Sequence, residues 1–163
     1  MIRHLMACFF DSSGKTMFTP GQADDDVNVY KLSIAWDISS ASFVDSFDLS
    51  NEDTFPSGIA FSKSGEKMFI SGNDNDSVFE YTLTTAWDVS SASLANSFSI
   101  ASEDEFPSGV AFSKSGEKMF FTGNDGNAVN EYTLATAWDV SSASFVDSFS
   151  VASKETAPNG MFL

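Results

Sequence analysis

Apolar and polar residues follow one another along this chain in short alternating runs, with no stretch in the 3.6-residue rhythm of a helix. In the middle of the chain the runs at residues 57–62, 67–71, 77–83 and 94–100 predict four strands. Pro56 precedes the first, a position that suits a residue without a ladder donor. Lys63-Ser64-Gly65-Glu66 turns the chain into the second, with Gly65 placed for the positive φ of a four-residue hairpin loop. The polar loop Asn73-Asp74-Asn75-Asp76 leads to the third, and a longer connection through Trp87 to the fourth. The half-polar fourth strand suits an outer edge; in its first copy Phe43, Phe47 and Leu49 are expected on one face and Val44, Ser46 and Asp48 on the other.

The pattern recurs without insertion or deletion. Trp36, Trp87 and Trp138 stand 51 residues apart, and the same offset aligns Gly14 with Gly65 and Gly116, and Tyr30 with Tyr81 and Tyr132. Residues 55–105 and 106–156 are identical at 36 of 51 positions. The expected organisation is a single repeat domain over 1–163, with units at about 4–54, 55–105 and 106–156 and residues 157–163 starting a fourth. Residues 1–10 and 154–163 fall on one phase of the repeat, so the chain is expected to begin and end inside a unit. Four strands per unit of this length is the size of a β-propeller blade. The predicted fold is all-β, about three four-stranded antiparallel blades, half of a six-bladed ring.

Residues 56–70, Pro-Ser-Gly-Ile-Ala-Phe-Ser-Lys-Ser-Gly-Glu-Lys-Met-Phe-Ile, resemble the propeller repeat of the YVTN and surface-layer type. Its usual form is P-x-G-[IV]-A-F-S-x-x-G-x-x-[LM]-[YF]-V, followed by a polar loop and a further strand. Phe69 and Phe120 stand where that family often has Tyr, and Leu5-Met6-Ala7-Cys8-Phe9 replaces Pro-Ser-Gly-Ile-Ala in a degraded first copy. The Trp-Asp pairs invite comparison with WD40 repeats, but the Gly-His partner is missing and the period is long. The resemblance implies a propeller fold and includes lactonase-type enzymes. A metal-dependent lactonase-like hydrolase, with its site in the central channel, is therefore the alternative to a non-catalytic scaffold or binding module. A third reading makes the chain an excerpt of a longer repeat protein.

Composition narrows the choice. The 163 residues are 42% apolar and 14% aromatic, which excludes disorder, and no run reaches the roughly 18 apolar residues of a membrane span. Eight Lys and Arg against 23 Asp and Glu leave a net charge of −15, which argues against nucleic acid as a partner. Such charge confers solubility, or suits a salty medium where repulsion is screened. One cysteine, Cys8, excludes an intrachain disulfide framework, and one histidine, His4, excludes a histidine-rich metal site within one chain. The opening apolar run, Leu5 to Phe10, is too short for a signal peptide's core and has no small-residue cleavage site after it.

The three tryptophans are expected to pack between adjacent blades or to cover the outer end of one, and Asp37, Asp88 and Asp139 to organise turns. Lys67 and Lys118 are expected as solvated hairpin charges. Two sets of acidic loops should emerge on one face: Asp24-Asp25-Asp26, Asp74-Asn75-Asp76 and Asp125-Gly126-Asn127, then Asn51-Glu52-Asp53, residues 102–105 and residues 153–155. Asp24, Asp25, Asp26, Asp74, Asp76 and Asp125 are the candidate ligands for Ca²⁺, although solvated turns are the preferred reading of these loops. No nucleophile, base or cofactor site is identified. Three blades form an open arc, so a homodimer is expected to close the ring, and one face is open to a protein or glycan partner. Pro158, Gly160, Met161, Phe162 and Leu163 are expected to supply the inner strand of the partner's first blade.

Overall fold

A computed structural model describes residues 8–161. Three four-stranded antiparallel sheets follow one another, each with its strands in chain order. The first holds β1 (Phe9–Phe10), β2 (Thr16–Gly21), β3 (Asp26–Leu32) and β4 (Ala41–Asp48). The second holds β5 (Pro56–Phe61), β6 (Lys67–Gly72), β7 (Ser77–Leu83) and β8 (Ala92–Ser99). The third holds β9 (Pro107–Phe112), β10 (Lys118–Gly123), β11 (Ala128–Leu134) and β12 (Ala143–Ser150). The helical content of the described residues is three single 3₁₀ turns, at Ile38–Ser40, Val89–Ser91 and Val140–Ser142. Each is capped by the Asp that the sequence assigns to a turn: Asp37, Asp88 and Asp139 accept the N–H of Ser39, Ser90 and Ser141.

The hairpin glycines behave as expected. Gly14, Gly65 and Gly116 have φ of 68°, 75° and 75°. The tryptophans add something the sequence does not reveal. Trp36, Trp87 and Trp138 also lie at positive φ, 64–65°, a region where a bulky side chain is a true outlier. Each Trp N–H donates to the carbonyl of its hairpin glycine at 2.9 Å, and the indole then lies flat on that glycine. A Cβ on Gly65 would stand 2.2 Å from the Trp87 ring. The glycine thus serves both the turn and the seat of the indole.

The sheets pack face to face, burying one apolar layer between the first and second blades and another between the second and third. At the centre the inner strands touch backbone to backbone. A Cβ on Gly58 would lie 2.9 Å from the Gly109 Cα, and one on Gly109 would lie 2.9 Å from the Gly160 Cα. Residues 160–161 therefore take the place beside β9 that β9 takes beside β5.

The expected alternation of the outer strand needs correction. The β3–β4 register shifts between Val29 and Tyr30, so that Tyr30 faces Phe43 while Val29 faces Asp45. Val44 is the extra residue of a β-bulge, and a one-residue insertion exchanges the faces on either side of it. Phe43 consequently packs on Tyr30 of its own blade, whereas Phe47 turns to Tyr81 of the next, 5.4 Å between ring centroids. The same shift occurs at Tyr81 and Tyr132.

Candidate functional site

Both sets of acidic loops lie on one end of the arc, as expected, because buried carboxylates tie them together. Asp53, in the connection leaving the first blade, accepts the N–H groups of Phe55, Asp74 and Asn75. Asp104 does the same for Phe106, Asp125 and Gly126 one unit later. Both are buried, so these two are clamps rather than the solvated loop residues that the sequence suggests. Each fixes the β-turn of the following blade from the connection before it. Charge is segregated as a result. Among the described residues, loops 24–26, 52–53, 74–76 and 103–105, with Asp125 and Glu155, face one end, where Lys154 is the one basic residue. Lys15, Lys63 and Lys114 balance Asp11, Glu66 and Glu117 at the hairpin end. There an open groove of about 760 Å³ between the second and third blades is lined by Lys63, Lys67, Lys114 and Trp138.

The candidate metal ligands are spread over the turns of three blades. Asp26 accepts the Asn28 side-chain amide at 2.6 Å, and Asp74 accepts the Thr54 hydroxyl. Burial, helped by Asp24, raises the Asp26 carboxyl above the usual range. Burial also raises Asp76, with the carboxylates of Glu105, Asp53, Asp104 and Asp74 adding to the effect. Among the described residues no three His, Cys, Asp or Glu side chains gather as a metal-binding group. Asp24, Asp25 and Asp125 are placed in these turns without converging on a common point. Cys8 is exposed, and His4 lies outside the described residues, as do Phe162 and Leu163.

The two ends of the arc carry the most unusual surface. Between blades, the trailing face of one sheet covers the leading face of the next. Phe18 meets Phe61 with centroids 4.6 Å apart, and Phe69 meets Phe112 at 4.1 Å. Phe47 packs edge-on against Tyr81, and Phe98 against Tyr132, both at 5.4 Å. Val89 and Val140, buried at these seams, are 2% and 0% exposed, but their counterpart Ile38 on the first blade is 70% exposed. Trp36 is likewise exposed where Trp87 and Trp138 are half-buried. At the other end Phe149 is 72% exposed, whereas Phe47 and Phe98 are half-buried. Phe120 and Val129 show the same loss of cover relative to Phe18, Phe69, Val27 and Val78. One end presents a leading half-interface, and the other presents a trailing one.

Sequence comparison finds no matching family model and no matching curated protein. Solved structures are similar. A candidate 6-phosphogluconolactonase from Bacteroides fragilis has a TM-score of 0.63 and 12% identity over 89% of this chain and 38% of its own. A periplasmic gluconolactonase from Pseudomonas aeruginosa gives 0.58 and 14%, over 88% of this chain and 38% of its own. The β-propeller domain of Cps50 (Swd1) from Myceliophteria thermophila gives 0.58 and 12%, over 95% and 45%. This chain thus spans less than half the length of each.

Proposed function

We propose that this chain, three β-propeller blades by fold, is a non-catalytic propeller scaffold of YVTN-like repeats, and that two copies close one six-bladed ring presenting an acidic end to a protein or glycan partner. One observation carries this reading: the exposed apolar faces at the two ends are the complementary halves of the seam already formed twice within the chain. An open arc would leave both in water, and large apolar patches are rare on soluble monomers. A two-fold pairing covers both at once. The inner strand supports the same arrangement. Among the described residues β1 pairs with β2 at Phe18 and Met17 alone, and Pro158, Gly160 and Met161 already lie beside β9. In a ring they reach the remaining edge of the partner's β2 at Thr19 to Gly21.

Face complementation tests the proposal. Ile38→Asp and Phe149→Asp each spoil one half of every seam, so each variant alone should be monomeric by light scattering. Mixed, they retain one intact seam and should form a heterodimer. Two singly substituted proteins that dimerise as well as the parent would overturn the reading. The alternative, a metal-dependent lactonase-like hydrolase, predicts that millimolar Ca²⁺ raises the melting temperature more than Mg²⁺ at the same ionic strength and that EDTA reverses it; the scaffold reading predicts no difference between the two ions.

A further inference from the structure

The seam between the second and third blades contains a polar device. Glu80, 1% exposed, accepts from Lys67 Nζ at 2.6 Å and from the Val140 N–H at 2.9 Å. Lys67 Nζ also donates to the Trp138 carbonyl at 2.7 Å. One Lys–Glu pair therefore reads both a backbone donor and a backbone acceptor of the Trp-Asp-Val corner on the following blade. Beside it Asn96 Nδ2 donates to Asp139 Oδ1 at 3.3 Å. The expectation of solvated lysines fails here: Lys67 leaves the hairpin and spans the seam.

Fifty-one residues later the pair recurs as Lys118–Glu131, 2.5 Å apart, on the open trailing face. Glu131 is 28% exposed, with no following blade among the described residues. The matching corner is equally unused. Trp36-Asp37-Ile38 has the backbone of Trp138-Asp139-Val140: Trp φ 65° against 64°, and an Asp cap at φ −100° against −118°. Among the described residues nothing accepts the Ile38 N–H. The first blade itself cannot supply a latch, because Val29 and Thr16 stand where Glu80 and Lys67 stand in the second. The chain therefore holds one latch without a corner at its trailing end and one corner without a latch at its leading end; the Val89 corner inside the chain also meets no latch, so the first seam is held by apolar packing.

We propose that Glu131 and Lys118 form the partner-recognition site for a second copy of this chain, Glu131 accepting the Ile38 N–H and Lys118 donating to the Trp36 carbonyl. This rests on the reading that two copies close the ring, and it adds what fixes their register. Apolar contact alone tolerates sliding, whereas a desolvated charged pair bound to two backbone groups does not. The site is imperfect in one respect. Asp147 replaces Asn96 and would face Asp37 of the second copy, carboxylate to carboxylate.

The test is a set of dimer dissociation constants from sedimentation. Glu131→Ala alters a half-exposed side chain and leaves the monomer folded. Ile38→Pro deletes the donor while keeping an apolar side chain in the seam, because proline is well accepted at the first position of a helical turn, and Ile38→Val, the residue at the two internal corners, controls for the trimmed side chain. Glu131→Ala and Ile38→Pro should each weaken the dimer about 10–100-fold. The double variant should be little weaker than either single one, since both remove the same bond. Asp147→Asn should tighten the dimer by several-fold. A monomeric parent would overturn the ring itself. A dimeric parent with Glu131→Ala unchanged, or with fully additive losses, would overturn the latch and leave the ring standing.

Discussion

The contact between hairpin glycine and indole yields a sharp prediction. Gly65→Ala places a Cβ 2.2 Å from Cε2 and 2.3 Å from Nε1 of Trp87, so the ring must move. Trp87 packs on Phe61 at 5.2 Å, and on Phe9 and Phe18 at 6.1 and 6.4 Å. Displacing it loses aromatic contacts worth about 0.5–1.5 kcal/mol each, or roughly 2–3 kcal/mol for a half-buried indole. Alanine at a φ of 75° adds strain of about 1–2 kcal/mol. The total is about 3–5 kcal/mol, a fall in Tm of roughly 8–15 °C for a chain of this size. Trp87→Ala alone should cost about 3 kcal/mol. In that background Gly65→Ala should cost only the backbone strain, about 1–2 kcal/mol. The cycle therefore predicts a coupling of about 2–3 kcal/mol, measured by urea unfolding of all four proteins at one protomer concentration. Equal losses from Gly65→Ala with and without Trp87 would refute the reasoning.

Four further outcomes follow from the structure. Asp53→Ala strands three backbone N–H groups and should destabilise by about 3 kcal/mol in chemical denaturation; a loss below about 0.5 kcal/mol would show that the clamp carries nothing. Asp76→Asn should raise Tm at pH 7, because burial and neighbouring carboxylates hold Asp76 above the usual range and its ionised form costs stability. Below that raised value Asp76 is itself protonated and the gain should vanish, and asparagine accepts the φ of 44°; a pH-independent difference would contradict the cause. Sodium chloride should raise Tm between about 0.01 and 1 M, as the screening length falls from about 30 to 3 Å over one acidic end; a falling Tm would contradict the segregation of charge. Deleting residues 157–163 should weaken the dimer severely while leaving circular dichroism unchanged, and a truncated chain that dimerises normally would remove the strand exchange.

Much of the architecture is legible in the sequence, because turn chemistry and period are local properties. Gly65 needs positive φ, Asp88 reaches its own backbone two residues on, and the third strand runs from Ser77 to Leu83 as the alternation predicts. What escapes is decided by partners distant in the chain. Nothing in Phe43-Val44-Asp45 reveals the bulge, which is set by the register against Tyr30. Asp53 resembles Glu52 beside it, and only the turn at Asp74 and Asn75 makes it a clamp. Lys67 adjoins Glu66 in sequence but pairs with Glu80 across the sheet. The positive φ of Trp87 follows from its N–H bond to Gly65, 22 positions earlier. Of the site, the acidic end is readable from loop composition, and the open end faces become readable only by comparing burial between equivalent positions.

Molar mass in solution tests the central claim most directly. Light scattering on the parent chain at micromolar concentration should give twice the chain mass of 17.6 kDa, in one monodisperse species. A monodisperse species of 17.6 kDa at that concentration would show that the two open faces do not close on one another, and would contradict the account.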